Sequence, residues 1–155
     1  VEHTGLTWQE VISQEGNRVI ISAIGKDGAL FSEVGVKVTV NQDGRLAYYE
    51  LLESSQMQKN LVYSLWFNKA VSLIVIDKDG RNYHLTGKIY RAWISGRDFE
   101  EEYTKVLEEL GSEADLSTVW LIEVEDFLET TYETSREIEK QEHPYLMHWD
   151  HIVRV

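Results

Sequence analysis

The chain has 155 residues, 43% of them hydrophobic, with 27 Asp and Glu against 15 Lys and Arg and no cysteine. A chain of this length makes one ordinary domain, burying about two thirds of the surface its unfolded form exposes, and needs no disulfides; without thiols, zinc–thiolate, iron–sulfur and cysteine-nucleophile chemistry are excluded. Residues 1–95 hold ten acids and ten bases, whereas residues 96–155 hold 17 acids and five bases and so carry the whole net charge of −12. Nucleic acid is therefore not an expected partner, because backbone binding relies on clustered Lys and Arg.

In chain order, Thr7-Trp8-Gln9-Glu10 reads as a capping box opening a short helix. Arg18 to Ile24, Ala29 to Val40 and Arg45 to Leu51 read as strands, separated by Lys26-Asp27-Gly28 and Gln42-Asp43-Gly44. Asp-Gly between apolar runs signals a hairpin, since such turns need positive φ. A third such turn at Asp79-Gly80 joins Ala70 to Ile76 with Arg81 to Ile94. The three hairpins predict an antiparallel meander, and the single proline, Pro144, lies outside every predicted strand. Met57, Leu61 and Leu65 at near-helical spacing place a helix over Ser54 to Phe67, crossing one end of the sheet. Arg97 to Leu110 is amphipathic, with Phe99, Tyr103, Val106, Leu107 and Leu110 on one face and a Glu-rich face opposite. Ser117 to Val124 returns as a strand, continuing with a break to Tyr132, and Ser135 to Gln141 reads as a short helix. Six strands with helices at the ends predict a small barrel, which closes its exposed edges. Apolar runs such as Val71 to Ile76 are far short of the roughly 20 residues of a membrane helix. Val1 to Gly5 does not read as a signal peptide, and a cytoplasmic protein without membrane association is expected.

This order of elements resembles the FMN-binding split-barrel family, the pyridoxamine 5′-phosphate oxidase-like group. The resemblance rests on Leu6 to Ile12, the strand pair around Lys26-Asp27-Gly28, and the string Ser55-Gln56-Met57-Gln58-Lys59-Asn60-Leu61. It continues through Ala70 to Val75 and Tyr83-His84-Leu85-Thr86-Gly87-Lys88, with Gly87 at the family's strand glycine. It implies one domain over 1–155, a mainly β six-stranded antiparallel split β-barrel with flanking helices. The core would span about 6–132 and a helical tail 133–155. It further implies a homodimer with FMN in a groove between two barrels, and a flavin-dependent oxidoreductase in which the flavin carries the electrons. The FMN phosphate would sit at the helix start, where free N–H groups and the dipole attract an anion. There Ser54, Ser55, Gln56, Lys59 and Asn60 are the implied contacts. Ser32 and Val34 would line the ring, with Thr86 and Lys88 approaching from a neighbouring strand.

Three positions depart from the family pattern: Gln56 and Met57 stand where relatives carry Lys or Arg, and Glu33 where they commonly carry Pro. Loss of charge-assisted phosphate contacts points to the alternative, a flavin-less dimeric module for another planar ligand such as haem. Ser54 and Ser55 also read as an ordinary helix cap. His148 and His151, at i, i+3, could share a helix face and hold a metal, or pack as surface histidines beside Trp149. Trp66, Trp93, Trp120 and Trp149 read as core or interface anchors or as stacking partners for a flat ring. No catalytic residue, hydrolytic Ser/His/Asp order or Gly-rich nucleotide loop is identified.

Overall fold

A computed structural model of the protein describes residues 5–111 and 113–143. Its elements run α1 (Trp8–Ser13), β1 (Arg18–Ile24), β2 (Leu30–Val34), β3 (Lys37–Val40), β4 (Leu46–Glu50) and α2 (Gln56–Trp66). β5 (Ala70–Ile76), β6 (Asn82–Trp93), α3 (Arg97–Leu110), β7 (Thr118–Glu129) and α4 (Tyr132–Glu142) follow. The strands form one antiparallel sheet in the order β2-β1-β5-β6-β7-β4-β3.

All three predicted hairpins form, as β1–β2, β3–β4 and β5–β6. Their turns share one construction. In the first, Gly28 N–H donates to Gly25 O (3.0 Å), Ala29 N–H donates to the Asp27 carboxylate (3.0 Å), and Gly28 takes φ +84°. In the other two, Gly44 and Gly80 take the left-handed conformation, while Asn41 and Asp77 side chains accept the following backbone N–H groups. Positive φ therefore falls on the glycine alone, where it carries no Cβ penalty.

The strand count and connectivity differ from the expectation. The predicted run Ala29 to Val40 is two strands rather than one, so the sheet has seven strands, not six. Gly35 ends the run: its N–H makes the last bond to β1, donating to Val19 O (2.8 Å), and a Cβ there would press on the Tyr48 ring. β2 and β3, only two residues apart in the chain, then lie at opposite edges of the sheet. A flat sheet cannot satisfy that tether, so this one curls into a half-barrel with a seam. The hairpins interleave rather than follow one another as a meander, because β7 inserts between β6 and β4. β7 runs as one strand to Glu129, with a register shift at Glu125 where a break after Val124 was expected, and α4 begins at Tyr132, three residues before the expected Ser135.

The curl gives the sheet two different faces. Inside, Val19, Ile21, Leu46, Tyr48, Leu73, Leu85, Trp120 and Ile122 form the core with Met57 and Leu61 of α2, which plugs one end as predicted. Outside, α3 lays Val106, Phe99 and Tyr103 over Ala47, Tyr49, Val119 and Leu121. That is why β4 is buried on both faces. Fully burying each such aliphatic side chain contributes about 1.5–3 kcal/mol. Gln58 joins helix to wall: its amide donates to Thr118 Oγ1 (2.7 Å) and its carbonyl accepts the Trp120 indole N–H (2.8 Å).

The family glycine has a physical reason. At Gly87 the β6–β7 register shifts, and a Cβ would collide with the backbone carbonyl of Glu123. Bulges of this kind bend a strand and increase its twist. Gly87→Ala is expected to lower unfolding free energy by about 1–3 kcal/mol, read as a lower urea midpoint; an unchanged midpoint would mean that the bend tolerates a side chain.

Candidate functional site

The implied site residues fall into two groups, and no hydrogen bond or ion pair among the described residues links them. The first lies on the outer face of β2, β1, β5 and β6, which no helix among the described residues covers as α3 covers β4. Register places Ser32, Ser22, Ser72 and Thr86 in one row across four strands, ending at Asp126 on β7. Ser22 and Ser32 hydroxyls share a hydrogen bond (2.6 Å), as do Ser72 Oγ and His84 Nε2 (2.6 Å). The adjacent row is apolar apart from the imidazole, running Val34, Ile20, Ile74, His84, Leu128. Val34 is 62% exposed, Leu128 43% and Ile74 38%. Lys88 lies one row to the other side, between Ala70 and Glu123. Flat, half apolar and half hydroxyl-bearing, this face can take a planar ring or a second copy of itself. Ser72 and His84 have nucleophile–base spacing, but among the described residues no carboxylate is hydrogen-bonded to the other imidazole nitrogen. They therefore lack the third member of a hydrolytic constellation.

The second group is the start of α2. Ser55 caps the helix, its hydroxyl accepting from Gln58 N–H (3.0 Å). Gln56 donates to Asn60 Oδ1 (2.8 Å), and buried Asn60 donates to Ala23 O (3.0 Å), pinning α2 to the end of β1. Ser54 and Lys59 are exposed. Beside the cap stand two carboxylates. Glu50, only 5% exposed, accepts Leu52 N–H on Oε1 (3.1 Å), while its Oε2 has no hydrogen-bond donor. Glu33 reaches it across the seam and accepts the Tyr48 hydroxyl (2.7 Å). Burial foremost, then the charge of Glu33, pushes the Glu50 carboxyl up to about 7. Burial and the bond to Glu33 likewise raise Tyr48, keeping its phenol a donor.

An FMN phosphate does not fit this helix start. Neither Glu33 nor Glu50 has a cationic partner among the described residues, and a phosphate here would meet two carboxylates. The anion seated beside this helix start is the chain's own Glu50. Sequence reasoning singled out Glu33 as a departure but missed Glu50, because a Glu ending a strand looks solvent-exposed until closure buries it. An i, i+2 alternation of Tyr48 and Glu50, both inward, was the available signal.

A second concavity, about 440 Å³, lies between α3 and β3–β4 and is lined by Lys37, Tyr49, Trp93, Glu102 and Lys105. Both of its lysines are paired, Lys37 with Glu109 (2.8 Å) and Lys105 with Glu102 (3.4 Å), and the Tyr49 hydroxyl donates to Glu102. Among the tryptophans, Trp120 is buried and Trp66 is 77% exposed at the end of α2. Trp149, His148 and His151 lie outside the described residues. No group of three or more His, Asp or Glu among the described residues is placed to hold a metal ion. Nor is any described helix long and apolar enough to cross a membrane.

No family model and no curated protein sequence matches the chain. Solved structures do match it. HupZ of Group A Streptococcus aligns at TM-score 0.65 and 14% identity over 82% of this chain and 95% of that one. An FMN-binding protein of Syntrophomonas wolfei aligns at TM-score 0.64 and 10% identity, over 79% and 83% of the two chains. A pyridoxinephosphate oxidase family protein of Clostridium acetobutylicum, related to general stress protein 26, aligns at 0.54 and 15%, over 79% and 84%.

The chain has the FMN-binding split-barrel fold. Within a split barrel the seam is a structural weak line, and here Tyr48 and Glu33 bridge it. Tyr48→Phe is expected to destabilise by about 1.5–3 kcal/mol, the range for a hydrogen bond to a charged group, measured by urea unfolding. A difference below about 0.5 kcal/mol would mean that the bridge adds nothing at the seam.

Proposed function

We propose that this split barrel is a homodimeric binding module for a planar ligand that brings no phosphate to the α2 start, with haem or a similar flat ring as the ligand class. The observation that carries the reading is the Glu33–Glu50 pair at the position where a flavin phosphate would need cations. The uncovered face supports the rest: its Ser and Thr hydroxyls offer hydrogen bonds to polar ring edges, and Ile20, Ile74, Val34 and Leu128 offer apolar contact. The same apolar row supports pairing with a second copy, since exposed contiguous apolar surface marks an interface.

A flavin-dependent oxidoreductase is the second reading. Exposed Lys59 and half-buried Lys88 favour it, as cations within the α2 and β6 segments that the family resemblance assigns to FMN.

Titration of purified protein separates the two. The expected result is a saturable absorbance shift with haemin and no saturable quenching of FMN fluorescence at micromolar concentration. Saturable micromolar FMN binding with no haemin response would replace the first reading by the second. For the dimer, Ile74→Glu is expected to halve the mass seen by light scattering while leaving the circular dichroism spectrum unchanged. A wild-type chain that is already monomeric would remove the dimer from the reading.

A further inference from the structure

A buried carboxylate with a second carboxylate beside it poses a problem that does not depend on which ligand the barrel takes. Glu50 is 5% exposed with one oxygen lacking any donor, and Glu33 approaches it from the opposite edge of the sheet. Two ionised groups side by side repel more strongly the more one of them is buried. A proton or a bound cation between them would relieve that repulsion.

The surroundings decide between these. Every group facing the pair is already a hydrogen-bond donor or neutral. From β4, Tyr48 hydroxyl donates to Glu33. From the segment after β4, Leu52 N–H donates to Glu50, and the Ser55 hydroxyl lies against it. From β7, the register partner is neutral Thr118, whose hydroxyl accepts from Gln58. No Lys, Arg or His among the described residues pairs with either carboxylate. A metal ion would find only two carboxylates and no third acidic or imidazole ligand. One proton, by contrast, fills the one gap in the bonding pattern.

We propose that Glu33 and Glu50 share a single proton in a carboxyl–carboxylate hydrogen bond that latches the free edge of β2 to β4 across the barrel seam, and that loss of this proton loosens the seam. The proton comes from solvent and returns to it, so no other reactant is needed. The direction of the pH dependence follows from linkage. The usual value of a Glu carboxyl is 4.5, and in this fold Glu50 is pushed up to about 7. Between those values the folded chain holds a proton that the unfolded chain has lost. Stability from the latch is therefore fully present below about 4.5 and is lost as pH rises through about 7.

The test compares thermal unfolding of the wild type and Glu50→Gln from pH 5 to 8.5, with the difference between profiles removing the contribution of the other acids. Glu50→Gln keeps a neutral, hydrogen-bonding side chain at every pH. The wild-type Tm is expected to fall by about 3 °C or more relative to the variant across this range. Parallel profiles would overturn the proposal. So would a rise of the wild-type Tm at pH 8.5 on adding Mg²⁺, Ca²⁺ or Zn²⁺ that is abolished in Glu50→Gln, which would assign the gap to a metal ion. Should the variant not fold, carboxyl carbon resonances of ¹³C-Glu-labelled wild type serve instead. One Glu titrating near 7 supports the latch, and all titrating in the ordinary range overturns it.

Discussion

The tether between β2 and β3 is the constraint on which the rest of the molecule depends. Gly35 and Val36 alone separate two strands that lie at opposite edges of a seven-stranded sheet. Only a curled sheet brings those edges within two residues of each other. Gly35 makes the crossing possible by packing its bare Cα against the Tyr48 ring. The register shift at Gly87 adds a bend to the same wall.

Closure sorts the surface into three environments with different chemistry. The interior is filled by aliphatic side chains and plugged by α2. One outer quarter is sealed by α3, whose acidic face turns outward and accounts for much of the C-terminal negative charge. The remaining outer face stays open and carries alternating rows of hydroxyl and apolar side chains. The seam is a fourth, narrower environment. There buried Glu50 and half-buried Glu33 stand without a cationic partner among the described residues. The split-barrel scaffold shared with HupZ, an FMN-binding protein and a pyridoxinephosphate oxidase family protein presents, in this chain, a helix start flanked by two carboxylates. The fold is common to these proteins while the site chemistry is this chain's own.

Most of the local structure was legible in the residues. Each Asp-Gly turn formed a hairpin, because only glycine adopts the left-handed conformation freely. Thr7 and Ser55 capped their helices, since a hydroxyl before a helical run satisfies a backbone N–H that otherwise has no partner. The 29–40 run was misread as one strand because Val34, Val36 and Val38 continue the apolar pattern straight through Gly35. Of the implied cofactor residues, Gln56 is bonded to Asn60, and Asn60 in turn to Ala23 of β1, in packing roles. Ser32 and Thr86 do share a row, which their sequence separation could not reveal.

The sequence by itself determined which segments are strands and helices, where the turns fall, and that the negative charge belongs to the C-terminal part. These follow from side-chain periodicity and backbone sterics, which act over a few residues. Which sheet face α3 covers, which stays open, and that Glu33 meets Glu50 were decided only by the tertiary structure. Glu33 and Glu50 belong to different hairpins, and their contact exists only when the sheet closes. The burial of Glu50 beside Glu33 is likewise a property of the curled sheet and of no shorter stretch of chain.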